Sequence, residues 1–420
     1  MPHKLNEDVC AQSKGLATFG EIQNLLASQI NTIAKVQTIQ LENAIGKVLA
    51  QDIIAPRPVP AFTNAAVDGY AFAHASIVNG DNILTVTQEI FAGTQPDAVL
   101  GIGQAARIFT GAVMPQGADT AVMQENTQLN GNKVTVSPQT KLGSNVRKAG
   151  EDQQIGDIVV AKGTRLQPSH LGAIASTGAN EVQCFSTLKV AVLSTGDEVI
   201  RPGPDLKDGQ IYDSNFHLLN GLAASNDIEL HDVGVLADDE ELIFSTIETL
   251  SKQYDVILST GGASVGDKDF IIAAMQTLGT LHSWKIAIKP GRPLAIGQIG
   301  RALFLGLPGN PVAAFNTWLL FALPIFARMQ GATWQPPQRF LVPAGFAMPS
   351  KKTGRREFLR GWIDNSSGTP IVQKFQKDGS GIISGLTKAT GLIELNEALS
   401  SVQTGDLVPF IPFSEFGITS

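Results

Sequence analysis

The stretch that decides the fold is Tyr254-Asp-Val-Ile-Leu-Ser-Thr-Gly-Gly-Ala-Ser-Val-Gly266. Its apolar run Val256-Ile-Leu258 is followed by small residues, and Asp267 then begins a helical pattern. This order is typical of a buried parallel strand, a glycine-rich turn and a helix N-terminus. Free backbone N–H groups and the helix dipole favour an anion at such a turn. The same residues also fit a tight turn that binds no ligand.

The chain contains a second copy of this pattern. An apolar run at 190–193 leads into Ser194-Thr195-Gly196, which matches Ser259-Thr260-Gly261 in kind and order. Helix and strand patterns alternate between the two turns: helix 214–224, strand 228–236, and a helix to about 252 with a capping box of Asp238 and Glu241. This alternation predicts a doubly wound parallel sheet. Ligands of such sheets bind at the carboxyl ends of the strands, where both turns fall.

The remaining segments predict smaller units around this sheet. A helical pattern covers 18–33, a second one covers 41–50, and Pro56, Pro58 and Pro60 interrupt the chain. Short strand patterns separated by Asn-Gly and proline turns fill 61–146 and, after Pro336-Pro337, the segment 340–413. The expected domains are a flexible tail (1–17), an α/β domain (18–35 plus 187–334), a mixed linker domain (36–60 plus 147–186), a small β domain (61–146) and a C-terminal β domain (335–420).

Composition restricts the class of protein. The chain has 420 residues, 43% of them hydrophobic, and a net charge of -7, which argues against nucleic acid as the main partner. Its two cysteines, Cys10 and Cys184, exclude a disulfide framework and a cysteine-based zinc site. Because a long apolar run and a signal pattern are both missing, we expect a soluble, cytoplasmic protein that does not bind membranes.

Cations and carboxylates follow the predicted strands. Lys285, Lys289 and Arg292 precede a further strand, and Asn310-Pro311 then begins a helix at an anion-binding position. These groups suit a ligand that carries phosphates. Carboxylates at Asp197, Glu198, Asp267 and Asp269 would repel such a ligand unless Mg²⁺ lay between them, although each also fits a capping or solvated role.

Several common enzyme classes are disfavoured. The chain has no Gly-Lys-Ser/Thr phosphate loop and no nucleophile elbow, and its six histidines are scattered. The residues themselves therefore predict a Mg²⁺-assisted enzyme or a binding protein for a phosphorylated small molecule.

The ordered motifs of the chain resemble those of the molybdopterin molybdenumtransferase, or MoeA, family. Asn64-Ala-Ala-Val-Asp68-Gly69-Tyr70-Ala71 is similar to the family signature Asn-Ser-Ala-Met-Asp-Gly-Tyr-Ala, with alanine and valine in place of serine and methionine. Further similar blocks follow in the family's order from about residue 20 to 330: Thr110-Gly111-Ala112, Gly150-Glu151-Asp152, Ser194 to Glu198, Gly209 to Asn215, Gly261 to Gly266, Lys289-Pro290-Gly291 and Leu307 to Pro311. Arg292 stands where lysine is common in the family.

The resemblance implies the final step of molybdenum cofactor synthesis. In that step molybdate is inserted into adenylylated molybdopterin with Mg²⁺, and AMP is released. The resemblance also implies a molybdopterin-binding sheet domain and a C-terminal β-barrel-like domain. It further implies a homodimer whose active sites combine the sheet domain of one chain with the small β domain of the other, and the molybdopterin adenylyltransferase as a partner enzyme.

The resemblance also assigns roles to residues. Those implied to be catalytic are Asp68, Thr110, Asp152, Glu198 and Asp269, of which Glu198 and Asp269 would hold the metal. Those implied to bind substrate are Arg147, Ser194, Thr195, Gly196, Asp213, Gly261, Gly262, Ser264, Lys285, Lys289, Arg292, Pro308, Pro311 and Ser384. Ser384 and Gly379-Ser380 resemble a polar turn of the family's C-terminal domain.

Two alternatives remain open from the sequence. The molybdopterin adenylyltransferase shares the sheet domain, although the additional domains argue against it. A scaffold that binds molybdopterin without catalysis would keep the fold, although the presence of Asp68 and Glu198 argues against it.

Overall fold

The computed structural model of the chain describes residues 16–78, 81–261, 270–366 and 368–418, without the side chains of 283 and 284. Of the residues implied by the resemblance, Gly262, Ser264 and Asp269 lie outside the described residues, as does the predicted helix start at Asp267.

The chain before residue 188 forms short elements. Its helices are α1 (Phe19–Gln29), α2 (Ala75–Val78) and α3 (Pro168–Ser176). Its strands are β1 (Val36–Gln40), β2 (Ile53–Ile54), β3 (Asn64–Ala65), β4 (Gly69–Phe72), β5 (Ile83–Ile90), β6 (Gln104–Ile108), β7 (Thr120–Met123), β8 (Gln128–Asn130), β9 (Lys133–Thr135), β10 (Val146–Arg147), β11 (Ile158–Val160) and β12 (Glu181–Phe185). One sheet, in the order β7-β4-β6-β5-β9-β8, lies within 69–135. β1 pairs with β12, so the segments before and after this sheet meet.

Two sequence predictions in this region are wrong. The helix predicted at 41–50 is a 3₁₀ turn at Leu41–Asn43 followed by irregular chain, since the preceding residues pair with β12 as strand β1. Ala17, expected in a loose tail, is 8% exposed and forms a parallel bridge with Ile286. The helix predicted at 18–33 is present as α1, although it ends at Gln29, and Thr18 and Glu21 cap it reciprocally.

The middle of the chain forms the predicted α/β unit. Its strands are β13 (Leu188–Thr195), β14 (Val199–Ile200), β15 (Ile211–Tyr212), β16 (Ile228–Leu236), β17 (Val256–Thr260), β18 (Thr280–Lys285), β19 (Ile288–Lys289), β20 (Pro293–Ile299) and β21 (Ala302–Leu307). Its helices are α4 (Ser214–Ala224), α5 (Glu240–Gln253), α6 (Phe270–Leu278), α7 (Pro311–Thr317) and α8 (Leu323–Met329), with a π turn, Trp318–Ala322, joining the last two.

The main sheet of this unit has the order β16-β13-β17-β21-β20-β18. Its first four strands are parallel, as the strand–helix alternation predicts, whereas β20 runs antiparallel to both of its neighbours, β21 and β18. The predicted cap of α5 needs a correction: Asp239, and not Asp238, is the N-cap, because its carboxylate accepts a hydrogen bond from the backbone N–H of Leu242 at 2.8 Å.

A second six-stranded sheet contains most of the C-terminal part. Its new strands are β22 (Phe340–Pro343), β23 (Arg356–Asp364), β24 (Ile371–Lys374), β25 (Gly391–Leu395) and β26 (Leu407–Pro412), and a short helix, α9 (Ser384–Lys388), accompanies them. The order β19-β23-β25-β26-β22 includes β19 from the α/β unit, so the two sheets are joined through Ile288 and Lys289.

A buried helix packs between these two sheets. The helix Pro311–Met329 is apolar and long enough to cross a membrane, yet 94% of its apolar stretch is buried inside the protein. Trp318, Phe321 and Phe326 are fully buried and belong to one core with residues of both sheets. The length and apolarity of this helix therefore reflect its position in the core. The predicted multidomain fold of α/β plus β units is confirmed.

Candidate functional site

Buried hydroxyl groups lie at the carboxyl ends of the two neighbouring strands β13 and β17. The Oγ of Ser194 lies 2.9 Å from the Oγ1 of Thr260 and donates to the Oδ2 of Asp213 at 2.5 Å. Ser194 is 2% exposed and Asp213 is 4% exposed. The two Ser-Thr-Gly turns are therefore physically connected, as parallel pairing of their strands predicts.

Asp213 is occupied by protein donors on both oxygens. Its Oδ1 accepts the backbone N–H of Phe216 and caps α4, while its Oδ2 accepts from Ser194 and, at 2.7 Å, from Arg201. Arg201 also pairs with Asp232 on β16. These contacts fasten the loop between β13 and α4 to the edge of the sheet. The substrate-binding role implied for Asp213 stays a prediction.

This loop presents Glu198 beside the turn at Gly196. Gly196 has a φ of +127°, a backbone conformation that favours glycine, and a Cβ atom there would lie 2.8 Å from the Oε2 of Glu198. Glu198 and its neighbour Asp197 are exposed, whereas Thr195 is half-buried. The residue type, the exposure and the edge position suit a carboxylate that meets a ligand from solvent.

The carboxylates of this loop fit Mg²⁺ only if substrate phosphates supply further ligands. Within the described residues, no group of three or more histidine, cysteine, aspartate or glutamate side chains could hold a metal. Mg²⁺ in enzymes is often held by one or two carboxylates together with substrate phosphates. Glu198 fits that arrangement, and its implied co-ligand Asp269 lies outside the described residues.

A cavity of about 600 Å³ lies between the main sheet and the C-terminal sheet. On one side it is lined by Gly261 directly after β17, by β19 with the turn after it, and by the start of α7; on the other it is lined by β23 and the segment 374–380. The predicted residues among its lining are Gly261, Lys289, Arg292 and Pro308. Gly261 has a φ of +95°, which favours glycine at the point where the chain turns beside the cavity.

The lining is strongly cationic. Among its described residues the cations are Lys289, Arg292, Arg355, Arg360 and Lys374, and the only carboxylate is Asp378. Asp378 is 2.9 Å from the Nζ of Lys374, and Lys289 is paired with Glu357 at 3.3 Å. Arg292 and Arg355 make no side-chain hydrogen bond or ion pair with the described chain. This arrangement leaves positive charge for a ligand.

Arg360 is fixed differently from its neighbours. Its guanidinium donates to the carbonyls of Ile382 at 2.6 Å and Lys377 at 2.9 Å, and burial lowers its pKa while Asp378 opposes that shift. Arg360 therefore fastens the segment 377–382 to β23. The backbone N–H of Val312 donates to the carbonyl of Ser380 at 2.9 Å, which connects this segment to the start of α7.

Asp68 and Thr110 form a separate polar pair in the small β sheet. The backbone N–H and the hydroxyl of Thr110 both donate to the Oδ1 of Asp68, at 2.7 Å and 2.8 Å. These two bonds, the backbone one first, lower the pKa of the Asp68 carboxyl. Gly111 follows this pair and has a φ of +81°, which favours glycine at the turn after β6. Neither Asp68 nor Thr110 is among the described residues that line the cavity.

The other predicted residues lie apart from the cavity lining that the structure describes. Arg147 is exposed on β10 and pairs in register with Asn64, and Asp152 is exposed after the turn at Gly150. Outside the lining are also Lys285, Pro311 as the first residue of α7, and Ser384 as the first residue of α9.

Comparison with known proteins gives one consistent result. Residues 17–178 match the family described as "MoeA N-terminal region (domain I and II)", 191–328 match "Probable molybdopterin binding domain", and 342–413 match "MoeA C-terminal region (domain IV)". A molybdopterin molybdenumtransferase of Haemophilus influenzae is 36% identical over 402 residues, 95% of this chain and 99% of that protein. The chain belongs to the MoeA family.

Other MoeA proteins agree with this membership. A molybdopterin molybdenumtransferase of Nostoc is 34% identical over 74% of each chain. The crystal structure of a molybdopterin biosynthesis MoeA protein from Pyrococcus horikoshii superposes with a TM-score of 0.82 at 30% identity, and it covers 95% of this chain and 100% of that one. The predicted family and its fold are therefore confirmed.

Sequence reasoning missed part of the cavity of this MoeA protein. Arg355, Arg360 and Lys374 line it, and none of them was predicted as a site residue; Ser380, known from the sequence only as part of a polar turn, lines it too. The available signal was the cationic turn Lys351-Lys352-Thr-Gly354-Arg355-Arg356 directly before a strand. Strand β23 pairs with β19, a relation between residues nearly seventy positions apart that local patterns do not contain.

Proposed function

We propose that this chain catalyses the final step of molybdenum cofactor synthesis. Molybdate would be inserted into adenylylated molybdopterin, and AMP would be released. The family membership supports this reaction because the curated relatives carry the name of the transferase. The observation in this chain that supports the proposal is the cationic cavity of about 600 Å³, which lies next to the Ser-Thr-Gly turn after β17.

The cavity is suited to tetrahedral dianions and phosphates. Arginine side chains bind oxyanions through two parallel N–H donors, and lysine adds a point charge. Within the described residues no side chain or carbonyl takes up the guanidinium donors of Arg292 and Arg355, and both arginines lie in the same lining as Lys289. Molybdate would therefore bind here as substrate, next to the phosphate groups of molybdopterin.

Carboxylates complete the proposed site. Glu198 would hold Mg²⁺ together with Asp269, and the metal would neutralise charge on the phosphoanhydride. Asp68, kept ionised by its two bonds from Thr110, would accept a proton or orient a water molecule at that bond. Ser194 and Thr260 would keep the turns in place beneath the ligand.

The reaction is tested with purified protein, adenylylated molybdopterin, Mg²⁺ and molybdate. We expect AMP release that depends on both molybdate and the metal. If substrate bound but no AMP appeared, the chain would be a molybdopterin-binding scaffold instead. Formation of adenylylated product from ATP and molybdopterin would identify the adenylyltransferase alternative.

We also propose a homodimer with shared active sites in the cytoplasm. The separation of Asp68 and Thr110 from the described cavity lining supports sharing, since a second chain would bring the two groups together. The variants Asp68→Ala and Glu198→Ala should each be inactive. Mixed after dissociation, they should regain about one quarter of wild-type activity, because half of the dimers are hybrids with one intact site. No recovery despite hybrid formation would show that each site is built from one chain.

The molybdopterin adenylyltransferase is the partner enzyme that we propose for this chain. Its copurification with the chain tests that proposal.

A further inference from the structure

Lys351 is an unusually buried lysine beside the C-terminal sheet. Lys351 is 4% exposed. Its ammonium donates to the backbone carbonyls of Arg355 at 2.6 Å and Asn396 at 2.8 Å, and more weakly to that of Lys352 at 3.5 Å. Lys351 makes no ion pair with the described part of the chain. Burying a charge without a counterion is costly, so this lysine has a specific structural task.

The charges around Lys351 explain why the ammonium is tolerated. Burial lowers the pKa of Lys351, whereas Glu357 and Glu397 raise it and Lys289 lowers it again. Glu357 lies on β23, Glu397 follows β25, and Lys289 lies on β19. Lys351 is therefore part of the same electrostatic group as the Lys289–Glu357 pair at the cavity.

The contacts of Lys351 fix the backbone on one side of Arg355. The carbonyl of Arg355 accepts from the ammonium, and the next backbone N–H, that of Arg356, donates to the carbonyl of Ala287 at 2.8 Å. The turn before it is held as well, since the backbone N–H of Gly354 donates to the carbonyl of Glu397 at 2.9 Å. The Arg355 side chain makes no such bond within the described residues, and it belongs to the cavity lining.

We infer that Lys351 is a positioning residue that holds Arg355 in place for binding an oxyanion in the cavity. The inference rests on the proposed function. A fixed backbone reduces the entropy lost when the guanidinium is immobilised by a ligand, so the arginine binds more tightly than it would on a mobile turn. Lys351 itself does not touch the ligand.

The test measures binding of sodium molybdate to the full-length protein by isothermal titration. Lys351→Gln should weaken binding by about tenfold, the scale expected when one hydrogen bond from a charged group to the ligand is lost. Lys352→Gln is the matched control, because Lys352 is the exposed neighbour, and it should bind like the wild type. In an Arg355→Gln background, Lys351→Gln should cause less than about a twofold further loss of molybdate affinity. Both changes act on the same contact, the one between Arg355 and the anion.

A second variant separates position from charge and covers the case in which Lys351→Gln fails to fold. Lys351→Arg keeps the positive charge, but its larger planar guanidinium donates in a fixed fork and does not reproduce the geometry of the compact ammonium on the two carbonyls, so positioning predicts weaker molybdate binding. Wild-type affinity in a folded Lys351→Arg protein, or equal effects of Lys351→Gln with and without Arg355, would overturn the inference alone. Wild-type protein that bound no molybdate would overturn both the inference and the oxyanion cavity.

Discussion

The Nζ of Lys289 lies 3.3 Å from the Oε2 of Glu357, and this pair joins the α/β unit to the C-terminal sheet at the cavity. The two residues are also direct neighbours in the parallel pairing of β19 with β23. The Glu357 side chain is 4% exposed and the Lys289 side chain 49%. The Glu357 carboxylate is therefore held inside the protein, whereas the Lys289 side chain is accessible in the cavity lining.

Glu357→Gln should make the cavity more attractive to anions. Removing the buried carboxylate leaves the charge of Lys289 unneutralised, so molybdate and sulfate should bind about three- to tenfold more tightly at low ionic strength. The unfolding free energy should fall by about 1–2 kcal/mol, a modest loss because Lys289 stays solvated. Titration calorimetry and urea unfolding measure the two effects, with the exposed Glu42→Gln as control. Unchanged anion affinity would mean that Lys289 does not contribute to the site.

The two carboxylates that share Arg201 should differ in their contribution to stability. Asp213→Asn removes a buried charge that three donors approach, and we expect a loss of about 2–4 kcal/mol. Asp232→Asn removes a carboxylate whose side chain is 37% exposed, and we expect a loss below about 1 kcal/mol. Urea unfolding of both variants provides the comparison. Equal losses would contradict the anchoring role of Asp213.

Thr110→Val should raise the pKa of Asp68. The variant loses the hydroxyl donor but keeps the backbone one, so the pKa should rise yet remain below the ordinary value for aspartate. Because the folded pKa is depressed, Asp68 stabilises the fold above its unfolded pKa, and this contribution is lost as the pH falls through the folded pKa. Carboxyl-carbon NMR titration measures the shift, and Thr110→Ser should titrate like the wild type. An unchanged pKa in Thr110→Val would show that the hydroxyl is not a donor to Asp68.

Glu198→Gln should uncouple substrate binding from turnover. With a neutral amide the Mg²⁺ site is weakened, so AMP release should fall by about 100-fold and require more metal. Binding of adenylylated molybdopterin should change little, because the cationic cavity is intact. A chelator should abolish wild-type turnover in the same assay. Glu181→Gln on the exposed edge of β12 is the control, and equal turnover of Glu198→Gln and wild type would remove Glu198 from the metal site.

Local sequence patterns predicted the elements whose buried residues form an apolar run or recur at regular spacing along the chain. The strands β13, β17 and β21, the helix α4 and the start of α7 at Asn310-Pro311 follow from apolar runs, caps and proline positions. The segment 41–50 was predicted wrongly because β1 pairs with β12, and the backbone of 41–50 bonds to residues near 164–166 and 180–185, a distant part of the chain, against its helical pattern.

The sequence by itself determined the family, the parallel sheet and the two connected Ser-Thr-Gly turns, because these depend on short motifs and on neighbouring strands. Only the tertiary structure decided that the cavity is shared with the C-terminal sheet, through pairing of Lys289 with Glu357 and the placement of Arg355 by Lys351. These contacts join residues of different strands and turns. Their geometry follows from how whole sheets pack, which local propensity and spacing do not encode.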